Sequence, residues 1–135
     1  MELKDFIGIP YQDGGRDLQG CDCYGLVKLY YKEMLNIDIP ESRIIATQPK
    51  RIFLNYLNEL NENWNKIEKP IKHSVVAFMY NPNHPKIVTH FGVMIDDKTV
   101  LHCLNKINSH ISKIDDIRVQ PFIKAFHIWK GLTSQ

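Results

Sequence analysis

The stretch Gly20-Cys21-Asp22-Cys23-Tyr24-Gly25-Leu26-Val27-Lys28-Leu29-Tyr30-Tyr31 decides how the rest of the chain is read. It opens in a glycine-rich loop and continues as an amphipathic pattern. Counting from Cys23, the residues Leu26, Val27, Tyr30, Met34 and Leu35 recur at helical spacing and share one face. The pattern predicts a helix over 22–35, with Asp22 as its N-cap and Cys23 in the first turn. Unpaired N–H groups and the positive end of the helix dipole favour thiolate over thiol at such a place. A sulfur at the tip of a packed helix reads as a rigidly held nucleophile. A lone helical cysteine is more often a small buried hydrophobe, so the reading depends on what else faces it.

Upstream of that stretch, residues 2–7 predict a short helix ended by Gly8 and Pro10, followed by the turn-rich loop Pro10-Tyr11-Gln12-Asp13-Gly14-Gly15-Arg16-Asp17. Downstream, residues 36–49 read as a connecting loop and 51–64 as a second amphipathic helix. Its Ile52, Phe53, Tyr56, Leu57, Leu60 and Trp64 lie on one side and are expected in the core. After Pro70 the pattern changes to short β-type segments near 74–80, 87–95, 99–104 and 122–129, with a weak one near 107–111. Helices first and an antiparallel sheet afterwards predict an α+β fold in one domain over residues 1–135.

The segments around His90 and His102 predict a β-hairpin whose turn is centred near Asp96. Each histidine is six residues from that centre, which makes them direct cross-strand partners with Cβ atoms ~5 Å apart. A shift of two residues would leave them diagonal neighbours, whereas a shift of one would put them on opposite faces. One imidazole accepting the thiol proton, held by a polar group on its other nitrogen, is what a Cys–His hydrolase needs. Spacing alone leaves open which histidine is base and which orienter. Gly92, beside His90, is expected to leave room for a substrate backbone. His73, His84, His110 and His127 belong to no such constellation and are expected to be surface or structural residues.

Composition bounds the function. With 135 residues, 44% hydrophobic, 24% charged and a formal net charge of +2, the chain has the make-up of an ordinary globular protein. It has no long basic run, so no nucleic-acid partner is expected, and its apolar runs are too short for a membrane span. The polar start Met1-Glu2-Leu3-Lys4-Asp5 carries no export signal, so synthesis in the cytoplasm and delivery by other means are expected. Three cysteines cannot form a closed disulfide framework. Cys21, Cys23, His102 and Cys103 make an unusual zinc set, because adjacent strand residues such as His102 and Cys103 point to opposite faces. No metal is expected, Cys103 is assigned to the core, and Cys21 to burial.

Taken together, Gly8-Ile9-Pro10-Tyr11-Gln12-Asp13-Gly14-Gly15, Asp22-Cys23-Tyr24-Gly25-Leu26-Val27, His90-Phe91-Gly92-Val93-Met94-Ile95 and Val100-Leu101-His102 resemble the NlpC-type cell-wall peptidases. These are papain-like cysteine hydrolases that cut peptidoglycan stem peptides. The resemblance implies a papain-like fold with N-terminal helices packed on a C-terminal antiparallel sheet. It implies Cys23 as nucleophile, His90 as general base and acid, and His102 as the group that orients His90. Tyr11 matches a tyrosine lining the site near the oxyanion, and Asp22 an aspartate associated with the substrate's amino end. The implied reaction is amide hydrolysis through a thioester between γ-D-glutamate and the diamino acid, without a cofactor. Tyr24 stands where the secreted enzymes usually have serine, so a different substrate pocket is expected there. That residue and the Gly14-Gly15-Arg16-Asp17 run look more like the phage tail-tip branch, with other tail proteins as partners and the virion as the vehicle to the wall. An injected antibacterial effector, a related Cys–His amidase or acyltransferase, and a structural tail-tip module with a silent site are the alternatives.

Overall fold

In the computed structural model, which describes residues 1–42 and 44–132, the helix that opens with the cysteine is α1 (Cys23–Leu35). Asp22 caps it: its Oδ1 accepts the Gly25 N–H at 2.7 Å. Asn36, left-handed at φ 55°, ends it and returns its N–H to the Lys32 and Tyr31 carbonyls. The inner face buries Leu26, Val27, Tyr30 and Tyr31, while Met34 and Leu35 are only partly covered. The glycine-rich loop before it is folded into a two-stranded hairpin, β1 (Arg16–Asp17) and β2 (Gly20–Cys21).

A second helix, α2 (Pro49–Glu62), is followed by β3 (Trp64–Ile67), β4 (Val75–Phe78), β5 (His90–Met94), β6 (Thr99–His102), β7 (His110–Lys113) and β8 (Ile123–Trp129). The last six strands form one antiparallel sheet in the order β3-β8-β4-β5-β6-β7. This is the expected α+β architecture. Short 3-10 turns cover residues 3–6, 120–122 and 130–132, the first where the short N-terminal helix was expected. No helix among the described residues is long and apolar enough to cross a membrane.

The sheet is buried on both faces. Val75, Ala77, Phe91 and Val93 pack under α1, and Val76, Phe78, Met94 and Val100 pack with Val119 on the opposite side. Continuous burial of Val75-Val76-Ala77-Phe78 follows from this, since both sets of alternating side chains are covered. Elsewhere the connections differ from expectation. Trp64 does not extend α2 but starts β3, opposite Trp129, because Asn63 closes the helix one residue earlier. The weak strand expected near 107–111 lies at His110–Lys113, at the sheet edge.

Gly25 fixes how α1 meets the hairpin. A Cβ there would lie 2.0 Å from the Gly15 carbonyl oxygen and 2.9 Å from Arg16 Nη1. Alanine normally gains ~1 kcal/mol over glycine within a helix, but backbone cannot yield to a 2.0 Å contact without moving the hairpin. Gly25→Ala is therefore expected to destabilise by at least ~2 kcal/mol. An unchanged urea midpoint would show that the hairpin moves freely.

Candidate active site

Cys23 lies partly buried at the start of α1 and lines a cavity of about 430 Å³ together with Tyr11, Asp22, Tyr24 and His90. The backbone N–H groups of Tyr24 and Phe91 bear on its sulfur, so β5 runs directly past it. Burial foremost, then the charge of Asp22, pushes the thiol up to about 12, and the two N–H groups only partly offset this. The helix start thus does not produce a resting thiolate; desolvation outweighs the dipole.

His90 Nε2 lies 2.9 Å from His102 Nδ1, and His102 Nε2 lies 2.9 Å from Ser112 Oγ. The two histidines are not direct partners. His102 faces Gly92, and His90 is its diagonal neighbour, because the ladder pairs Met94 with Val100. The turn is centred one residue later than expected, on Asp97: Ile95 donates its N–H to the Thr99 carbonyl, and Asp96 Oδ1 accepts the N–H groups of both Lys98 and Thr99 and the Thr99 hydroxyl. The second link is diagonal as well, since His102 faces His110 while Ser112 lies two residues on.

This arrangement gives Gly92 a task other than the one expected. A Cβ there would meet Val100 Cγ2 at 2.7 Å and His102 Cβ at 3.0 Å. Gly92 makes room for the next strand's side chains, among them the histidine behind His90, and it does not line the cavity. Neither does His102, which stands behind His90 and is 1% exposed.

Burial, followed by the neighbouring imidazoles His102 and His110, holds His90 well below the ordinary histidine range. Burial and then His110 bring His102 down to about 3. The cysteine and both histidines are therefore neutral at rest. His110, expected to lie apart, packs against His102 with ring centroids 4.5 Å apart and planes tilted by 46°, and donates its Nδ1–H to the Asn108 carbonyl.

Tyr11 is on the cavity wall as expected, with its hydroxyl proton donated to Asp13 at 2.8 Å. Asp22 is saturated. Its Oδ1 accepts from Gly25 and, at 2.9 Å, from Arg16 Nη1, and its Oδ2 accepts the Gly14 N–H at 2.9 Å. Arg16 also binds Glu41 at 2.8 Å and the Ser42 carbonyl, which pins the loop after α1 to the hairpin. Tyr24 donates to the Pro40 carbonyl, lies under the Arg16 guanidinium and meets Phe91 edge-on. Cys21 and Cys103 are fully buried, and the Cys103 thiol points to the Cys21 carbonyl at 3.4 Å, away from the histidines.

Two further features were not expected. The α2 stripe was assigned to the core, yet α2 contains no fully buried residue. Ile52, Phe53 and Tyr56 do pack against the core from its edge, and Ile52 and Tyr56, with Asn55, Glu59 and Leu60, also line the cavity. His127 is 3% exposed and bonded through Nε2 to the Tyr56 hydroxyl at 2.7 Å on the same wall. Ser112 could have been found by placing the weak strand three residues later, where His110 and Ser112 alternate onto the His102 face.

The fold and site define a class: α+β domains in which a cysteine opens a helix beside a strand whose histidine is backed by a second polar residue. The NlpC/P60 family profile matches residues 8–128. The chain belongs to the NlpC/P60 family. Among solved structures, the NlpC/p60 domain of the peptidoglycan hydrolase SagA is 17% identical with a TM-score of 0.59, covering 93% of this chain and 90% of that one. NlpC2 from Trichomonas vaginalis is 19% identical with a TM-score of 0.65, covering 93% of this chain and 43% of that one. An NlpC/P60 family lipoprotein-like protein from Staphylococcus aureus is 18% identical with a TM-score of 0.62, covering 91% of this chain. The present chain spans only 37% of that protein's length. No curated protein sequence matches the chain.

Proposed function

We propose that this protein is a cysteine peptidase that hydrolyses peptidoglycan stem peptides at the amide between γ-D-glutamate and the diamino acid. The observation that carries this reading is the hydrogen-bonded run from His90 through His102 to Ser112, which begins on the wall that also holds Cys23. Family membership supports a cell-wall peptidase in general, since NlpC/P60 proteins are generally cysteine hydrolases.

In this reading His90 Nδ1 takes the Cys23 proton as the sulfur attacks the amide carbonyl carbon. The tetrahedral oxyanion is met by the Cys23 N–H, which has no partner within the helix, and by the Tyr11 hydroxyl once it turns from Asp13. Collapse breaks the C–N bond, and the leaving amine takes the proton from His90. A water then attacks the thioester, with His90 as base, releasing the carboxylate and restoring the thiol. A pair that is neutral at rest moves its proton only when substrate is in place, so slow alkylation of the free protein does not argue against activity. The Gly14-Gly15-Arg16-Asp17 run and Tyr24 support a phage or prophage tail-associated hydrolase delivered to the wall by the particle, with other tail proteins as partners.

Purified peptidoglycan digested with wild type and with Cys23→Ala tests the reading, with released fragments identified by mass. Fragments ending in γ-D-glutamate are expected from wild type only, with activity lowered at least ~10⁴-fold in the variant. The same fragments from both proteins would reject Cys23 as the nucleophile, and none from either would reject the reading and leave the structural tail module.

A further inference from the structure

A histidine base becomes a cation when it takes a proton, and a buried cation needs a partner. Among the described residues the run behind His90 supplies none: its Nε2 meets His102, and His102 meets the Ser112 hydroxyl. The imidazoles of His102 and His110 bear on the ring and disfavour its charge. With His90 5% exposed, water adds little. The Cys23 thiolate is a partner only briefly, because its charge passes to the substrate as the sulfur attacks.

What lies against His90 is aromatic. Phe78 pairs with it in the β4–β5 ladder, with ring centroids 5.1 Å apart. Tyr80, two residues beyond Phe78 and on the cavity wall, has its ring centroid 5.2 Å from that of His90, inclined at 58°. The two rings stack on each other at 5.0 Å and 17°, so they form one wall beside the imidazole. Both centroids fall inside the ~6 Å over which a ring's quadrupole attracts a cation. Tyr80 is held there from the β7–β8 connection: its hydroxyl donates to the Arg118 carbonyl at 3.0 Å, and Phe122 packs on its ring at 4.8 Å.

We propose that the stacked rings of Phe78 and Tyr80 stabilise the imidazolium that His90 becomes on taking the Cys23 proton, in the place a carboxylate would otherwise fill. This rests on the reading of Cys23 as nucleophile and His90 as base. Tyr80 acts through His90 and is a positioning residue whose share is electrostatic.

Tyr80 is the ring to vary, because Phe78 is fully buried and its variants would disturb the core. Phenylalanine, 3,4,5-trifluorophenylalanine, pentafluorophenylalanine and cyclohexylalanine at position 80 keep a six-membered ring while its quadrupole weakens, reverses or vanishes. The readout is the rate at which iodoacetamide alkylates Cys23 at neutral pH, located by peptide mass, since Cys21 and Cys103 are fully buried. In that step the S–C bond forms, iodide leaves and the thiol proton passes to His90. Tyr80→Phe is expected to stay within about twofold of wild type. The trifluoro ring should be about threefold slower than phenylalanine, and the pentafluoro and cyclohexyl rings at least about tenfold slower. In a His90→Ala background all four rings should give one rate. Equal rates across the rings with His90 present, the same losses with His90 absent, or no alkylation of any of these proteins would overturn the proposal. Peptidoglycan cleavage is scored separately. Ring-dependent alkylation without cleavage would fail the peptidase reading and keep the charge role, and cleavage with ring-independent alkylation would do the reverse.

Discussion

His90→Ala is expected to lower turnover of peptidoglycan by ~10⁴-fold, with His102→Leu costing ~10²- to 10³-fold and Ser112→Ala about tenfold. The ranking follows from proton bookkeeping along the chain His90–His102–Ser112. To act as base His90 needs a lone pair on Nδ1, so its proton sits on Nε2 and is donated to His102 Nδ1, 2.9 Å away. His102 then carries its own proton on Nε2 and donates it to Ser112 Oγ, also at 2.9 Å. Reversing the direction would put the His90 proton on Nδ1 and remove the base.

Ser112 is thus a positioning residue: as an acceptor it selects the working tautomer two residues away. Because His102 is neutral, it acts as an acceptor and not as a counter-charge, so His102→Asn, which keeps a carbonyl oxygen, should retain at least ten times the activity of His102→Leu. Proton shifts of the His90 ring should report the tautomer, and in Ser112→Ala the Nδ1–H form should gain population. Equal activity for His102→Asn and His102→Leu would mean that His102 only fills space.

The parts of this site that are local in sequence were legible in it. Asp22 caps α1 where the N-cap pattern placed it, and Cys23 opens the helix. The alternation of His90 with Phe91 and of His102 with Leu101 correctly put the two histidines on one face, but the register was two residues off. The Asp96 side chain, by binding Lys98 and Thr99, opens the turn instead of standing at its middle, and a centre one residue later shifts the pairing by two.

What the sequence hid has physical reasons. Strand β3 reads Trp64-Asn65-Lys66-Ile67, and Trp64 falls four residues after Leu60, so helical spacing absorbed it. Strand β7 is a polar edge strand, and the apolar Ile107 drew the expected strand toward it, though Ile107 is half exposed in a turn. The α2 stripe packs on the core through Ile52, Phe53 and Tyr56, as its residue types predict, but spacing does not tell that the same face also walls a cavity. The thiolate expectation failed for a related reason: the helix start is local, but the desolvation that outweighs it comes from strands 70 residues away.

Acid should unfold this protein well above the range where its carboxylates titrate. His90, His102 and His127 are buried and neutral, at 5%, 1% and 3% exposed. Burial is the leading cause in each: His90 lies well below 6.5, His102 at about 3, and His127 at about 4, the last with Lys66 contributing. The sign is set by the proton count. Below pH 6.5 the unfolded chain binds protons on these three side chains while the folded one does not, so stability falls with falling pH until the folded-state values are reached. At pH 5 His102 and His127 each contribute a loss of ~2 kcal/mol and His90 adds to it in the same direction, against a typical domain stability of ~5–15 kcal/mol. Carboxylates held low by their partners, such as Asp116 and Asp96, act only below the ordinary 3.8 and leave this window untouched.

The urea midpoint should therefore be flat above pH 6.5 and fall steeply from there to pH 5; equal midpoints at pH 7.5 and 5 would refute the neutral burial of the three rings. The same burial keeps His90 free of a proton in the folded protein, so activity should show no separate acid titration near 6.5. Its acid limit should coincide with unfolding, since the environment that holds the base ready also sets where the fold gives way.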